Sequence, residues 1–291
     1  VHLLYLCEDA GIPVDGTKGS SIHVRSMVRA FAQAGATVSL FSPRIGKTDW
    51  AEGLPVRFHH LPKKAIAARA EDANAAAAEL GSLLAALHEE ESVDCVYERL
   101  SLFASAGASF CKKNGIPHAV EVNAPLAEEA ASHRGLSNAD SARTIETATL
   151  QQADFLFPVS PALKRWLVGL GGSEDRCIVL PNGISEEWLQ THDVAPPRNA
   201  KVFRLGFVGS LRPWHDVKTL IAAMAELPRE QFVLSIVGDG PLHDDLQEWA
   251  RHCAVSERVE WHGKMEHSDV IAAVDNMDCC VAPYSPGSRF Y

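Results

Sequence analysis

Two patterns of apolar residues alternate along this chain. Short, mostly apolar runs cover Val1–Cys7, Thr37–Phe41, Val56–His60, Val93–Tyr97, Pro117–Val122 and Asp154–Val159, and later Phe203–Val208, Phe232–Val237, Arg258–Trp261 and Asp278–Ala282. Such runs predict strands of a parallel sheet buried on both faces. Between them, apolar residues recur at helical spacing. Val24, Met27, Val28 and Phe31 form one stripe, Val217, Leu220, Ile221 and Met224 another, and Leu242, Leu246, Trp249, Ala250 and Cys253 a third. Each predicts a helix with one face on a sheet. Gly35 reads as the C-cap of the first, Ser160-Pro161 opens a helix to about Leu167, and the alanine-rich stretch Ala65–Glu91 reads as one long helix. A helix over Ser268–Val274 and a short strand at Cys177–Leu180, ended by the turn Pro181-Asn182-Gly183, complete the pattern.

This alternation implies an α/β architecture of doubly wound parallel sheets. With 291 residues, 46% of them hydrophobic, the chain is long enough for two such domains. Thr191–Ala200, containing Pro196-Pro197-Arg198-Asn199, has no periodicity and reads as a linker. That places a first Rossmann-like domain at 1–195 and a second at 196–291. The second holds too few elements to complete a doubly wound sheet, and the chain starts inside a strand and stops abruptly at Phe290-Tyr291, so a fragment of a longer protein is expected.

Charge narrows the partners. The 27 basic and 37 acidic residues leave a formal charge of −10 with no basic stripe, which disfavours nucleic acid and leaves peripheral membrane contact at most. No apolar run approaches the length of a membrane span. The seven cysteines include no CxxC pair, and Cys7, Cys95, Cys177 and Cys279 fall in strand-like runs, so they read as small buried hydrophobes in a cytoplasmic protein.

Candidate chemistry lies in glycine turns. Gly209-Ser210-Leu211-Arg212-Pro213-Trp214-His215 and Gly238-Asp239-Gly240-Pro241 each follow a strand, where backbone amides can approach a phosphate. Together they favour a nucleoside diphosphate, with Arg212 and His215 as side-chain donors. In the loop Glu8–Ser20, Gly16-Thr17-Lys18-Gly19-Ser20 fails as a P-loop because Thr17 precedes the lysine and Gly19 follows it; the glycines at 11, 16 and 19 also miss the dinucleotide spacing.

These turns belong to a longer series: Gly16 to Val24, Val96-Tyr97-Glu98-Arg99, Glu121-Val122-Asn123-Ala124-Pro125-Leu126, Pro181-Asn182-Gly183-Ile184, Gly209 to Val217, and Val237 to Pro241. In order and spacing the series resembles the retaining glycosyltransferases of the GT-B fold, family 4, of bacterial type. The resemblance implies two Rossmann-like domains across a cleft, a nucleoside diphosphate sugar of UDP or GDP type as donor, no essential cofactor, and a glycan, lipid or small-molecule acceptor. It implies transfer through an oxocarbenium-like transition state, with electrostatic stabilisation of the departing diphosphate. Gly16, Thr17, Lys18 and Gly19 would approach the donor from the first domain, and Gly209, Ser210, His215, Gly238, Asp239, Gly240, His262 and Met265 from the second. Arg212 and Asn123 take the catalytic positions; Arg99, Glu121 and His133 fall on the acceptor side. Three departures stand out. Ser210 occupies the place of a common arginine, His215 that of a lysine, and Asn123 that of a histidine that often touches the donor sugar. The family's paired-glutamate motif would fall beyond Pro283-Tyr284. No metal-binding carboxylate pair is evident, so no metal is expected.

Plainer roles compete for several of these residues. Asn123 can cap the segment before Pro125, and Arg99 can pair with Glu98 or Glu121. His59 and His60 point to opposite faces of a strand and read as structural. His133 reads as a solvated loop histidine within Ala124–Ser141, a stretch taken as an acceptor loop together with Glu8–Gly16 and Ile45–Leu54, and Trp214 reads as a packing residue. The alternative functions are a nucleotide-sugar epimerase or phosphorylase of the same fold, a nucleotide-sugar-binding protein without turnover, and, more distantly, an NAD oxidoreductase.

Overall fold

Residues 1–133, 135–136, 138–184 and 202–285 are described by the computed structural model, and they form two compact units that divide at Gly183. The expected linker and the boundary at 195 lie outside the described residues.

The first unit is a sheet of parallel strands β1 (His2–Cys7), β2 (Thr37–Ser42), β3 (Val56–His60), β4 (Cys95–Arg99), β5 (His118–Val122) and β6 (Phe155–Pro158). Their spatial order is β3-β2-β1-β4-β5-β6. The helices are α1 (Gly19–Gln33), α2 (Ala73–Glu90), α3 (Ala106–Asn114), α4 (Leu126–His133), α5 (Ala139–Gln152) and α6 (Pro161–Gly169). The order reverses between β1 and β4, so the carboxyl ends of those strands flank the crevice where open α/β sheets bind ligands.

Strand alternation sends side chains to two cores. Leu3, Tyr5 and Tyr97 meet Val24 and Val28 of α1 on one face; Leu4, Leu6 and Val96 meet Leu80 and Leu84 of α2 and Phe110 of α3 on the other. Each such large apolar side chain contributes about 2 kcal/mol. Glu98 points into the second core, where it pairs with the equally buried His118 at 2.9 Å. Gly107 makes room for it, since a Cβ there would lie 2.0 Å from Glu98 Oε2.

The second unit has parallel strands β7 (Phe203–Val208), β8 (Phe232–Val237), β9 (Val259–Gly263) and β10 (Cys279–Cys280) in the order β10-β7-β8-β9, with helices α7 (Val217–Glu226), α8 (His243–His252) and α9 (His267–Asp275). This repeats the β3-β2-β1-β4 half of the first sheet, so its reversal falls between β7 and β10. The predicted stripe Val217, Leu220, Ile221 and Met224 is buried with Phe207, Leu234, Ile236 and Leu246. Buried Arg258 donates to the carbonyls of Met224 and Leu227, satisfying the end of α7.

Several expectations need correction. The stretch Ala65–Glu91 is not one helix: 3₁₀ turns at Lys63–Ala65 and Ala70–Asp72 precede α2. Burial of Ala65 and packing of Ile66 in the core override alanine's high helix propensity. Strand β4 runs two residues further than Val93–Tyr97 because Glu98 and Arg99 each find a partner across the strands. Most of Ala124–Ser141 is helix, with His133 in the last turn of α4 and Ala139 opening α5. Cys177–Leu180 contributes one bridge, to Leu156, and Asp278–Ala282 shortens to Cys279–Cys280. Cys7 and Cys177 are buried, Cys95 is half-buried and Cys279 is exposed, because β10 is an edge strand. Among the described residues no helix is long and apolar enough to cross a membrane.

Candidate functional site

In the first unit, polar side chains converge on Glu121 at the carboxyl end of β5. Register places Glu121 beside Arg99 of β4, and strand alternation puts Tyr97 on the same face. Arg99 Nη1 donates to Glu121 Oε1 at 2.5 Å, and the Asn123 side-chain amide donates to the same oxygen. Tyr97 hydroxyl donates to Oε2 at 2.9 Å, and His23 Nε2, one turn into α1, lies 2.8 Å from it. A carboxylate only accepts, so His23 carries its proton on Nε2.

Burial alone would raise the Glu121 carboxyl; the His23 hydrogen bond, the Arg99 charge and the Asn123 hydrogen bond outweigh it and hold the group at about 2. Burial and the Glu121 charge push the Tyr97 hydroxyl well up. The hub therefore keeps a fixed negative charge and orients four donors around it: Arg99, Asn123, Tyr97 and His23. The loop before α1 is tied down separately: Arg25 Nη1 donates to the carbonyls of Val14 and Gly16 at 2.5 and 2.8 Å, and Lys18 Nζ to that of Gly11 at 3.2 Å. No side chain caps the start of α1, so its first amides, beside Thr17, Lys18 and Gly19, have no side-chain acceptor.

In the second unit the site is made of backbone. The turn after β7 and the turn after β8 touch main chain to main chain: Gly209 N–H donates to the Val237 carbonyl at 3.0 Å and Leu211 N–H to that of Asp239 at 3.1 Å. Gly238 has φ +132°, and a Cβ on it would lie 1.9 Å from the Gly209 oxygen; one on Gly240 would lie 2.5 Å from the Leu211 oxygen. Both positions require glycine. The end of β9 joins them, with Gly238 N–H donating to the Gly263 carbonyl at 2.8 Å.

Side chains decorate this cradle. His215 Nδ1 lies 2.6 Å from the Ser210 carbonyl, which fixes the proton on Nδ1 and turns Nε2 outward. Tyr284 packs edge-on against that ring at 5.4 Å, and Ser285 donates from N and Oγ to the carbonyls of Trp214 and Pro213, each at 3.1 Å. Arg212 is exposed, its guanidinium 5.9 Å from the Trp214 ring. Trp214 thus serves as a partner for Arg212 and His215. Asp239 Oδ1 accepts the Gly240 N–H at 2.7 Å, shaping the turn.

The expected residues separate into those brought together and those kept apart. Gly209, Ser210, His215, Gly238, Asp239 and Gly240 share the cradle. His262 instead joins Ser235, Glu260 and Arg204 across the sheet, 3.2 Å from Ser235 Oγ, and Met265 is half-buried beyond β9. Arg99 pairs with Glu121 and not with Glu98. His59 stacks on Phe41 at 4.4 Å. Among the described residues no cluster of three or more His, Cys, Asp or Glu could hold a metal ion. The roles of His23, Tyr97, Arg25 and Gly263 were not read from the sequence. A signal existed for one of them: a tyrosine two residues before Arg99 shares its face.

Comparison with known proteins finds matches to both units. Residues 18–183 match the family model described as glycosyl transferase 4-like domain, and residues 190–286 match that of glycosyl transferases group 1. Among solved structures, the chain resembles the lipopolysaccharide outer core galactosyltransferase WaaB (17% identity, TM-score 0.69, covering 96% of this chain and 73% of that one). It also resembles sucrose-phosphate synthase from Thermosynechococcus elongatus (15% identity, TM-score 0.70, 100% and 76%) and Anabaena HepE in complex with UDP-glucose (16% identity, TM-score 0.67, 98% and 74%). At these identities the likeness establishes the fold, two Rossmann-like domains of GT-B type. Among curated proteins none matches the sequence.

Proposed function

The chain belongs to the glycosyl transferase 4-like family, and on that premise we propose that it moves a sugar from a nucleoside diphosphate sugar to an acceptor hydroxyl with retention of configuration. The observation that carries this reading is the backbone cradle at the carboxyl ends of β7 and β8, where Gly238 and Gly240 leave no room for a Cβ against the Gly209 and Leu211 carbonyls. The reading puts the diphosphate there, with Arg212 as its fixed positive charge and His215 Nε2 alongside. UDP is the first nucleotide to test, since HepE was solved with UDP and with UDP-glucose.

In the reaction, the bond between the anomeric carbon and the phosphate oxygen breaks, the diphosphate leaves with the electron pair, the acceptor hydroxyl oxygen bonds to the anomeric carbon, and the hydroxyl proton passes to the departing diphosphate. Arg212 stabilises the charge that develops on the leaving group. Asn123, oriented by Glu121, meets the donor sugar or the acceptor, and Arg99 and Glu121 form the floor of the acceptor side. The second edge of the Arg99 guanidinium suits a hydroxyl-bearing acceptor: a glycan, a lipid or a small molecule. No essential metal takes part, and turnover insensitive to EDTA checks that.

The decisive experiment is thermal stabilisation by UDP, GDP, ADP, their sugar conjugates and NAD, with wild type and Arg212→Ala. A shift with one diphosphate, reduced in the variant by about tenfold in affinity, supports the donor site and names the base. No shift with any diphosphate, or a shift with NAD alone, refutes it. The anomeric configuration of the product, read by proton NMR, tests retention.

A further inference from the structure

Helix α4 begins directly after Asn123-Ala124-Pro125, and neither Ala124 nor Pro125 has a side chain able to cap it. The cap comes from α5. Glu146 Oε1 accepts the N–H of Leu126 at 2.8 Å and that of Ala127 at 3.3 Å, two of the amides that a helix start leaves without partners. Glu146 is buried, 6% exposed. The segment Asn123–Ala127 is therefore held by a buried carboxylate at each end: Glu121 takes the Asn123 side chain, Glu146 takes the backbone.

The two carboxylates differ in what surrounds them. Glu121 faces Arg99 and His23 and keeps its charge. Around Glu146, burial pushes the carboxyl up, the Ala127 and Leu126 amides pull it down, Glu128 on α4 pushes it up and Arg143 on α5 pulls it down; the balance lies at about 7. A carboxylate holds two N–H donors, and the positive end of a helix, more strongly than a neutral carboxyl does.

Resting on the reading of Asn123 above, we propose that Glu146 is a positioning residue for Asn123: its carboxylate clamps the start of α4 and so sets where the Asn123 side chain sits, and proton uptake by Glu146 loosens that clamp. Glu146 touches neither donor nor acceptor in this account. It acts through three residues of backbone.

The test needs no substrate. In the whole chain, the backbone amides of Leu126 and Ala127 and the side-chain amide of Asn123 are followed by NMR as pH is varied. All three should shift together with one midpoint near 7 in wild type. Glu146→Gln, which keeps an acceptor oxygen but cannot ionise, should abolish the transition in all three, and Glu128→Gln should move the common midpoint down. If Leu126 and Ala127 titrate while Asn123 stays still, Glu146 is only a helix cap and the proposal is overturned; the absence of any transition overturns it as well. Asn123→Ala separates this from the functional reading. Unchanged binding of UDP-glucose and unchanged acceptor use in that variant would remove Asn123 from the site, while Leu126 and Ala127 would still titrate.

Discussion

The two units build their half-sites from different materials. Around Glu121 the geometry is made by side chains drawn from α1, β4, β5 and the loop after β5, with His23 and Glu121 separated by 98 positions in sequence. Around Gly238 it is made by main chain, one turn pressed on another. A side-chain hub can be loosened one bond at a time and its charge can be titrated. A backbone cradle tolerates no added atom at its contact points, and its shape does not depend on pH.

The largest expected effect probes the cradle. Gly238→Ala would place a methyl 1.9 Å from the Gly209 oxygen in a backbone conformation of φ +132°, so steric overlap and backbone strain act together. We expect a loss of about 4 kcal/mol in the stability of the second unit, read by denaturant unfolding, with the first unit unaffected. A loss below about 1 kcal/mol would mean that the turns can part, and the contrast between the units would collapse.

Next comes the hub. The Glu121 carboxyl falls from an ordinary 4.5 to about 2 in the folded protein, which is worth about 3 kcal/mol. The sign follows from the direction of the shift. A depressed carboxylate stabilises the fold above its unfolded value, so this contribution is complete above about pH 4.5 and is lost as pH falls towards about 2. Glu121→Gln should remove it at neutral pH and flatten that part of the acid limb, as seen by comparing unfolding of the two proteins from about pH 6 to 2. An unchanged acid limb would show that Arg99 and His23 do not hold the charge.

How far the sequence foretold the molecule follows from the same contrast. The cradle was legible because a backbone contact imposes glycine at fixed places, so Gly238 and Gly240 announce themselves. Most strands were legible too, since a buried parallel strand is apolar along its length. The hub was only partly legible. Glu121, Arg99 and Asn123 stood out, but nothing near His23 in sequence reveals that β5 will pass beside it. Helix α4 went unseen for a related reason: its cap, Glu146, lies on the next helix, so the usual local start signal is missing. The start of α2 was misplaced because alanine propensity extends through Ala65, which tertiary burial claims for a separate turn.

The smallest effect sharpens the comparison within one turn. Gly209 and Gly238 face each other, yet they are not equivalent. A Cβ on Gly209 would lie 3.0 Å from Phe207 Cζ and 3.8 Å from His215 Cε1, side-chain atoms and not main chain, and Gly209 needs no positive φ. Gly209→Ala should therefore cost only about 1 kcal/mol. Its larger signature should be on the ligand, because the methyl narrows the space beside Ser210 and the outward edge of His215, where the diphosphate is placed. We expect near-normal unfolding with weaker thermal stabilisation by UDP. If instead Gly209→Ala proved as damaging to stability as Gly238→Ala, then Phe207 and His215 would be locked as firmly as the main chain, and the cradle would owe its shape to side chains after all.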